Sequence, residues 1–228
     1  MNPNIGLGIP SAADLAAHRA IVPGIQDAIY APLYDSITYP AAGSTQLVFF
    51  ALPLGQGTTS APGAAGGKTE ADTNLSNAGL LPKGNRFYCT GVEIKFYFGS
   101  SVTSTAAADS LLGRNWADTY AFMKSGWMRF RIQNRDYVVD GPLENFPGVS
   151  RLAGVASLTS TLTAGAATAS NVDYATSAGM PYNIVPVFIE SNQSFILQLN
   201  WPAVVALPST VAARIFVRLR GRLIRDAQ

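Results

Sequence analysis

Histidine and cysteine are almost missing from this sequence: His18 and Cys89 are the only ones. One residue of each kind cannot make a zinc site, which takes several such ligands. A lone cysteine cannot close a disulfide within the chain. Nucleophile–base catalysis usually places a histidine or lysine beside a Ser, Cys or Thr. His18 sits between Ala17 and Arg19 in a predicted helix, where a helix-face contact residue is the simpler reading. Charge is also scarce. Charged residues make up 13% of the chain, about half the roughly 25% of an ordinary soluble domain. The net charge is +2, and no Lys/Arg-rich arm is present, so a basic tail for neutralising nucleic acid is not expected. No apolar run reaches the length of a bilayer span. The opening MNPNIGLGIPSAADLAAHRA lacks a positive region followed by an apolar core, so no signal peptide is expected and synthesis is placed in the cytoplasm.

Glycine motifs that would cradle phosphate are missing too. The stretch PGAAGGK, Pro62 to Lys68, has neither the spacing nor the flanking strand and helix of a P-loop. Asp136, Asp140 and Glu144 lie close in sequence and form the one candidate carboxylate group. Solvation, or pairing with nearby arginines, is preferred over acid–base chemistry for them. No catalytic residue, cofactor or metal is expected, and the chain is read as not being an enzyme.

What the sequence does contain is β pattern. Its 228 residues suit one large β domain and a full core. A hydrophobic share of 48% with so little charge implies that much surface becomes interface, because a free monomer normally keeps more charge outside. Ser11 with Asp14 three residues on predicts a short helix ending before Pro23 and Gly24. Tyr34 to Tyr39 reads as a strand, and Thr45 to Leu52 as a strand buried on both faces. Residues 55–83 read as a long polar loop. Val92, Ile94, Phe96 and Phe98 alternate with Gly91, Glu93, Lys95 and Tyr97. Leu112, Trp116 and Tyr120 recur at helical spacing, giving a helix near 107–123. Met128, Phe130 and Ile132 point inward from the next strand, with Trp127, Arg129 and Arg131 outward. Asn134 to Asp136 form a turn leading into a short strand at Tyr137 to Val139. Residues 150–179 read as a second polar loop.

The chain ends in three strands. Asn183 to Glu190 turns at Ser191-Asn192 into Gln193 to Trp201. In the last strand Ile215, Val217, Leu219 and Leu223 oppose Arg214, Phe216, Arg218, Arg220 and Arg222. The expected core between sheets is Val92, Ile94, Phe96, Phe130, Ile132, Phe195, Leu197, Ile215, Val217 and Leu219. The arginine row, with Arg129 and Arg131, has two readings. It is a solvated or interfacial face whose arginines pair with carboxylates of neighbours, which is preferred, or a basic face for nucleic acid. Trp116, Trp127 and Trp201 read as core or interface rather than a sugar platform. About eight strands with long insertions predict an all-β fold: a single eight-stranded antiparallel jelly-roll sandwich with short helices and long loops. An N-terminal helical arm covers residues 1–30 and the jelly-roll domain 31–228.

Three phrases carry a resemblance: YDSITYPAAGSTQLVFFALP, ADTNLSNAGLLPKGNRFYCTGVEIKFYFG, and PVFIESNQSFILQLNWP followed by ARIFVRLRGRLIRDAQ. In their order and pattern they resemble jelly-roll capsid and structural proteins of icosahedral bacteriophages. The resemblance implies a virion protein, made in the host cytoplasm, that self-assembles into an icosahedral shell. Its partners would be copies of itself, as trimers or larger assemblies, and other virion proteins. A weak genome contact would run through Arg214, Arg218, Arg220 and Arg222. The alternative is a phage decoration, fibre or receptor- or carbohydrate-binding jelly roll. A metal-dependent cupin would need several histidines.

Overall fold

The computed structural model describes residues 26–61, 64–97, 118–146, 150–157, 171–178 and 182–226. Eleven strands occur among them: β1 (Gln26–Ile29), β2 (Leu33–Tyr39), β3 (Gln46–Phe49), β4 (Asn85–Tyr97), β5 (Trp127–Ile132), β6 (Arg135–Pro142), β7 (Ser150–Ser157), β8 (Asn171–Ala178), β9 (Tyr182–Glu190), β10 (Phe195–Asn200) and β11 (Ala213–Asp226). A helical segment covers 118–124, and a 3-10 turn covers Leu143–Asn145. The fold is an all-β antiparallel sandwich. One sheet runs β1-β11-β4-β9, with β2 also on β11, and the other runs β3-β10-β5-β6. Strands β7 and β8 form a separate two-stranded sheet.

The pairings nest. β2 pairs with β11, β3 with β10, β4 with β9 and β5 with β6. The chain thus folds back on itself as one antiparallel ribbon four pairs long. Two further pairings, β11 with β4 and β10 with β5, roll that ribbon into two facing sheets.

Alternation explains which face is buried. Met128, Phe130 and Ile132 of β5, Phe195, Leu197 and Leu199 of β10, and Ile215, Val217 and Leu219 of β11 are all buried between the sheets. Val92 and Ile94 join them from β4, and Phe96 packs against them while partly exposed. Fully burying side chains of this size stabilises by about 1.5–3 kcal/mol each before chain entropy is counted. At one end, Tyr39, Phe122 and Trp201 meet edge to face or tilted, with ring centroids 5.3–5.7 Å apart. The Trp201 indole N–H donates to the Phe122 carbonyl at 2.9 Å and seats the helical segment on the core.

Several expectations change. The two sheets hold nine strands and the described residues eleven, not eight, because β1 and the β7–β8 hairpin are additional. Residues 150–157 and 171–178 are strands rather than loop. The strand expected over Thr45 to Leu52 is only Gln46–Phe49. It is a sheet edge with Leu47 and Phe49 buried and Gln46 exposed. Phe50 ends it at a φ of 66°. The helix expected at 107–123 is described only for 118–124. The N-terminal helix, including His18, and Trp116 lie outside the described residues.

Candidate interaction surfaces

The segment 55–83 reads in the sequence as a long polar loop with little to order it. It instead carries a cluster of buried polar side chains: Thr59, Ser60, Lys68, Asp72 and Thr73. Asp72 is the hub. Its carboxylate accepts from the hydroxyls of Thr59 (2.6 Å) and Ser60 (2.6 Å), and from the amides of Ser60 (3.0 Å) and Thr69 (3.0 Å). It also accepts from the Ser36 hydroxyl of β2 at 3.1 Å. Arg214 of β11 lies 3.5 Å away and donates to the hydroxyls of Ser36 and Ser60. Burial alone would raise the Asp72 carboxyl, but these hydrogen bonds outweigh it and hold the pKa well below the usual carboxylate range. The loop is therefore bonded to the outer side of the β2–β11 pair.

Lys68 is the last residue of the glycine-rich PGAAGGK stretch. It forms a buried ion pair with Asp35 of β2. The other Asp35 oxygen accepts from the Phe50 amide at 2.6 Å. Burial raises the Asp35 pKa, only partly offset by Lys68 and by the Phe50 and Ser36 amides.

The arginine row faces away from the core, as its alternation predicts, but most of it is paired within the chain. Arg214 joins the Asp72 cluster. Arg218 and Arg220 converge on one carboxylate, Glu93 of β4, which is 1% exposed. Arg222 stands opposite Tyr88 in the β11–β4 ladder. On the other sheet, Asp136 accepts from Arg131 at 2.8 Å and lies 3.6 Å from Arg129. The Arg131 hydrogen bond is the main cause of its lowered pKa, with both arginine charges contributing. Asp136 is thus paired with arginines. Glu144 is exposed in the 3-10 turn, and the Asp140 side chain lies outside the described residues. The three carboxylates do not form a described cluster, and no group of three or more metal-ligating residues occurs among the described residues.

Cys89 is fully buried, and burial pushes its thiol up to about 12. Such a thiol is inert rather than nucleophilic. Trp201 is core and Trp127 half-buried. The residues that sequence reasoning passed over are Asp35, Asp72 and the buried state of Glu93. Their one legible signal was an isolated acidic residue inside a β or polar stretch, which normally reads as solvated.

Exposed apolar side chains include Leu52, Leu54, Tyr30, Tyr120, Val204 and Val185, the last 88% exposed on β9. No helix among the described residues is long and apolar enough to cross a membrane. No protein-family model, curated protein or solved structure matches the chain.

Proposed function

We propose that this chain is a jelly-roll shell protein of an icosahedral bacteriophage, which acts by assembling with copies of itself and is part of the virion. The observation that carries the reading is the nested order of the strands. With β1 and the β7–β8 hairpin set aside as additions, eight strands remain. The first pairs with the last, the second with the seventh, the third with the sixth and the fourth with the fifth. That order supports a jelly-roll reading, the rolled double Greek key used by viral shells, lectins and cupins.

Among those uses, surface chemistry favours assembly. The chain has few charges, and Asp35, Lys68, Asp72 and Glu93 are withdrawn into the interior. Repulsion between approaching copies is therefore weak, and exposed apolar side chains are available for contact. A cupin reading lacks ligands, since the whole sequence has one histidine.

Light scattering behind size exclusion, followed by negative-stain imaging, tests the proposal. Closed particles, or trimers that close into particles on concentration, are expected. A chain that stays monomeric at high concentration overturns it, and a small species that binds glycans instead favours the receptor-binding alternative.

A further inference from the structure

The outer face of the larger sheet combines cations and aromatic rings in register. Phe216 of β11 stands between Ser36 of β2 and Lys95 of β4. One rung on, Arg218 stands between Tyr34 and Glu93. Beyond the irregularity between Arg220 and Gly221, Arg222 stands opposite Tyr88, which in turn stands opposite Phe188 of β9. The Tyr34 and Phe216 rings stack at 5.6 Å, and Tyr88 and Phe188 meet at 4.8 Å. All these aromatic side chains are half-buried rather than enclosed.

The two ends of this face are neutral. Arg214 is matched by Asp72, and Arg86 by Glu190 at 2.7 Å. Between them lie four cations, Lys95, Arg218, Arg220 and Arg222, against the single described carboxylate of Glu93, which both Arg218 and Arg220 cover. The polar loop walls one side, where the Tyr34 hydroxyl donates to the Glu70 carbonyl at 2.6 Å. The exposed Glu70 side chain stands at that margin.

We propose that this face, with Lys95, Arg220 and Arg222 as phosphate contacts and Phe216 as a stacking surface, binds single-stranded nucleic acid. Charge complementarity selects a polyanion, and half-exposed rings between the cations select one that carries bases. An acidic protein surface would use the charge and pack on the rings, but it offers no succession of planar bases to stack on them between its charges. Arg214, half-buried and held by the Asp72 cluster, takes no part, and Lys95 replaces it. Base sequence is a minor factor, because cations and rings outnumber the one side-chain amide in these rungs, that of Asn183 opposite Gly91. Its meaning as a genome contact rests on the shell reading, while the binding itself does not.

The test is fluorescence anisotropy of the intact protein with labelled oligothymidylate and oligouridylate of about 15 nucleotides, over a range of salt. Three phosphate contacts predict a slope of log affinity on log salt of about −2. Lys95→Glu combined with Arg222→Glu should weaken binding about tenfold or more and flatten the slope. Phe216→Ala should weaken it about tenfold, and Phe216→Tyr should restore it. Thermal melting checks folding, with Lys95→Gln and Arg222→Gln as milder substitutes. Absence of binding, or variants that fold and bind unchanged, overturns the proposal. So does equal affinity for polyglutamate without loss in Phe216→Ala, which would point to an acidic protein partner. Particle formation is scored on the same samples. Particles without oligonucleotide binding remove this inference alone, and binding without particles removes only the shell reading.

Discussion

Asp35 and Lys68, 33 residues apart, form an ion pair whose side chains are 0% and 4% exposed. A pair so withdrawn from water adds little over an apolar replacement of both partners, but breaking it leaves one charge buried without a counterpart. Asp35 must stay polar in any case, because it accepts the Phe50 and Ser36 amides.

Lys68→Met should therefore destabilise the fold by about 3–5 kcal/mol at neutral pH, and the loss should shrink as pH falls. Burial already raises the Asp35 pKa while Lys68 holds it down, so removing the lysine raises it further. The folded variant then binds a proton that the unfolded chain has released. Its stability is greatest below the ordinary carboxylate pKa of 3.8 and falls as pH rises through the folded value. Urea unfolding of both proteins at pH 5 and pH 7 measures this, and an equal loss at both would mean that Asp35 is not left charged.

Asp72 has the opposite sign. Its folded pKa lies below the ordinary value of 3.8, so on acidification the unfolded chain takes up the proton first. The stability it contributes is complete above that value and is lost as pH falls through the folded pKa. Asp72→Asn should cost about 2–3 kcal/mol at pH 7 and remove part of the acid sensitivity of the parent. Melting curves from pH 7 down to about pH 2.5 would show the two proteins converging.

These two sites explain which parts of the fold were legible in the sequence. Strands with one apolar face announce themselves, and the inward sets of β5, β10 and β11 follow directly from alternation. Residues 55–83 have no such period. Their order comes from Lys68 and Asp72 meeting Asp35 and Arg214, partners distant in sequence that no local pattern reveals. β7 and β8, rich in Ala, Ser and Thr, likewise lack the large alternating side chains that mark a strand. Alternation puts Glu93 on the outer face, but its burial depends on two arginines arriving from β11. In β4 the inward positions switch from Phe87 and Cys89 to Val92 and Ile94. A two-residue period cannot span that change, and the register irregularity between Cys89 and Gly91 accounts for it.

Opposite that irregularity stands Gly221, where a Cβ would lie 2.0 Å from the Tyr88 carbonyl oxygen and 2.7 Å from the Phe87 ring. The first obstacle is backbone, so a side-chain rotation cannot relieve it. Gly221→Ala should cost at least about 1–3 kcal/mol and lower the urea midpoint with little change in slope. An unchanged midpoint would mean that the β4–β11 pair separates more readily than its ladder suggests.

The two polar insertions should respond differently to deletion. Removing residues 57–73 takes away Thr59, Ser60, Lys68 and Asp72, leaving Asp35 of β2 without Lys68 and Arg214 of β11 without Asp72 and Ser60. That deletion should abolish cooperative unfolding or lower the melting temperature by roughly 15 °C or more, given several buried interactions lost at once. Residues 150–178 belong to a different case. The β7–β8 hairpin forms its own sheet and, among the described residues, shares no ladder with β6 or β9, and an isolated two-stranded hairpin has little stability of its own in water. Replacing it with a short Gly/Ser link should leave the melting temperature within about 4 °C of the parent. If the hairpin is a contact between subunits, particle yield should fall sharply while the sandwich stays folded. Normal particles from the shortened chain would remove the hairpin from the assembly surface, and loss of folding would show that it braces the sandwich instead.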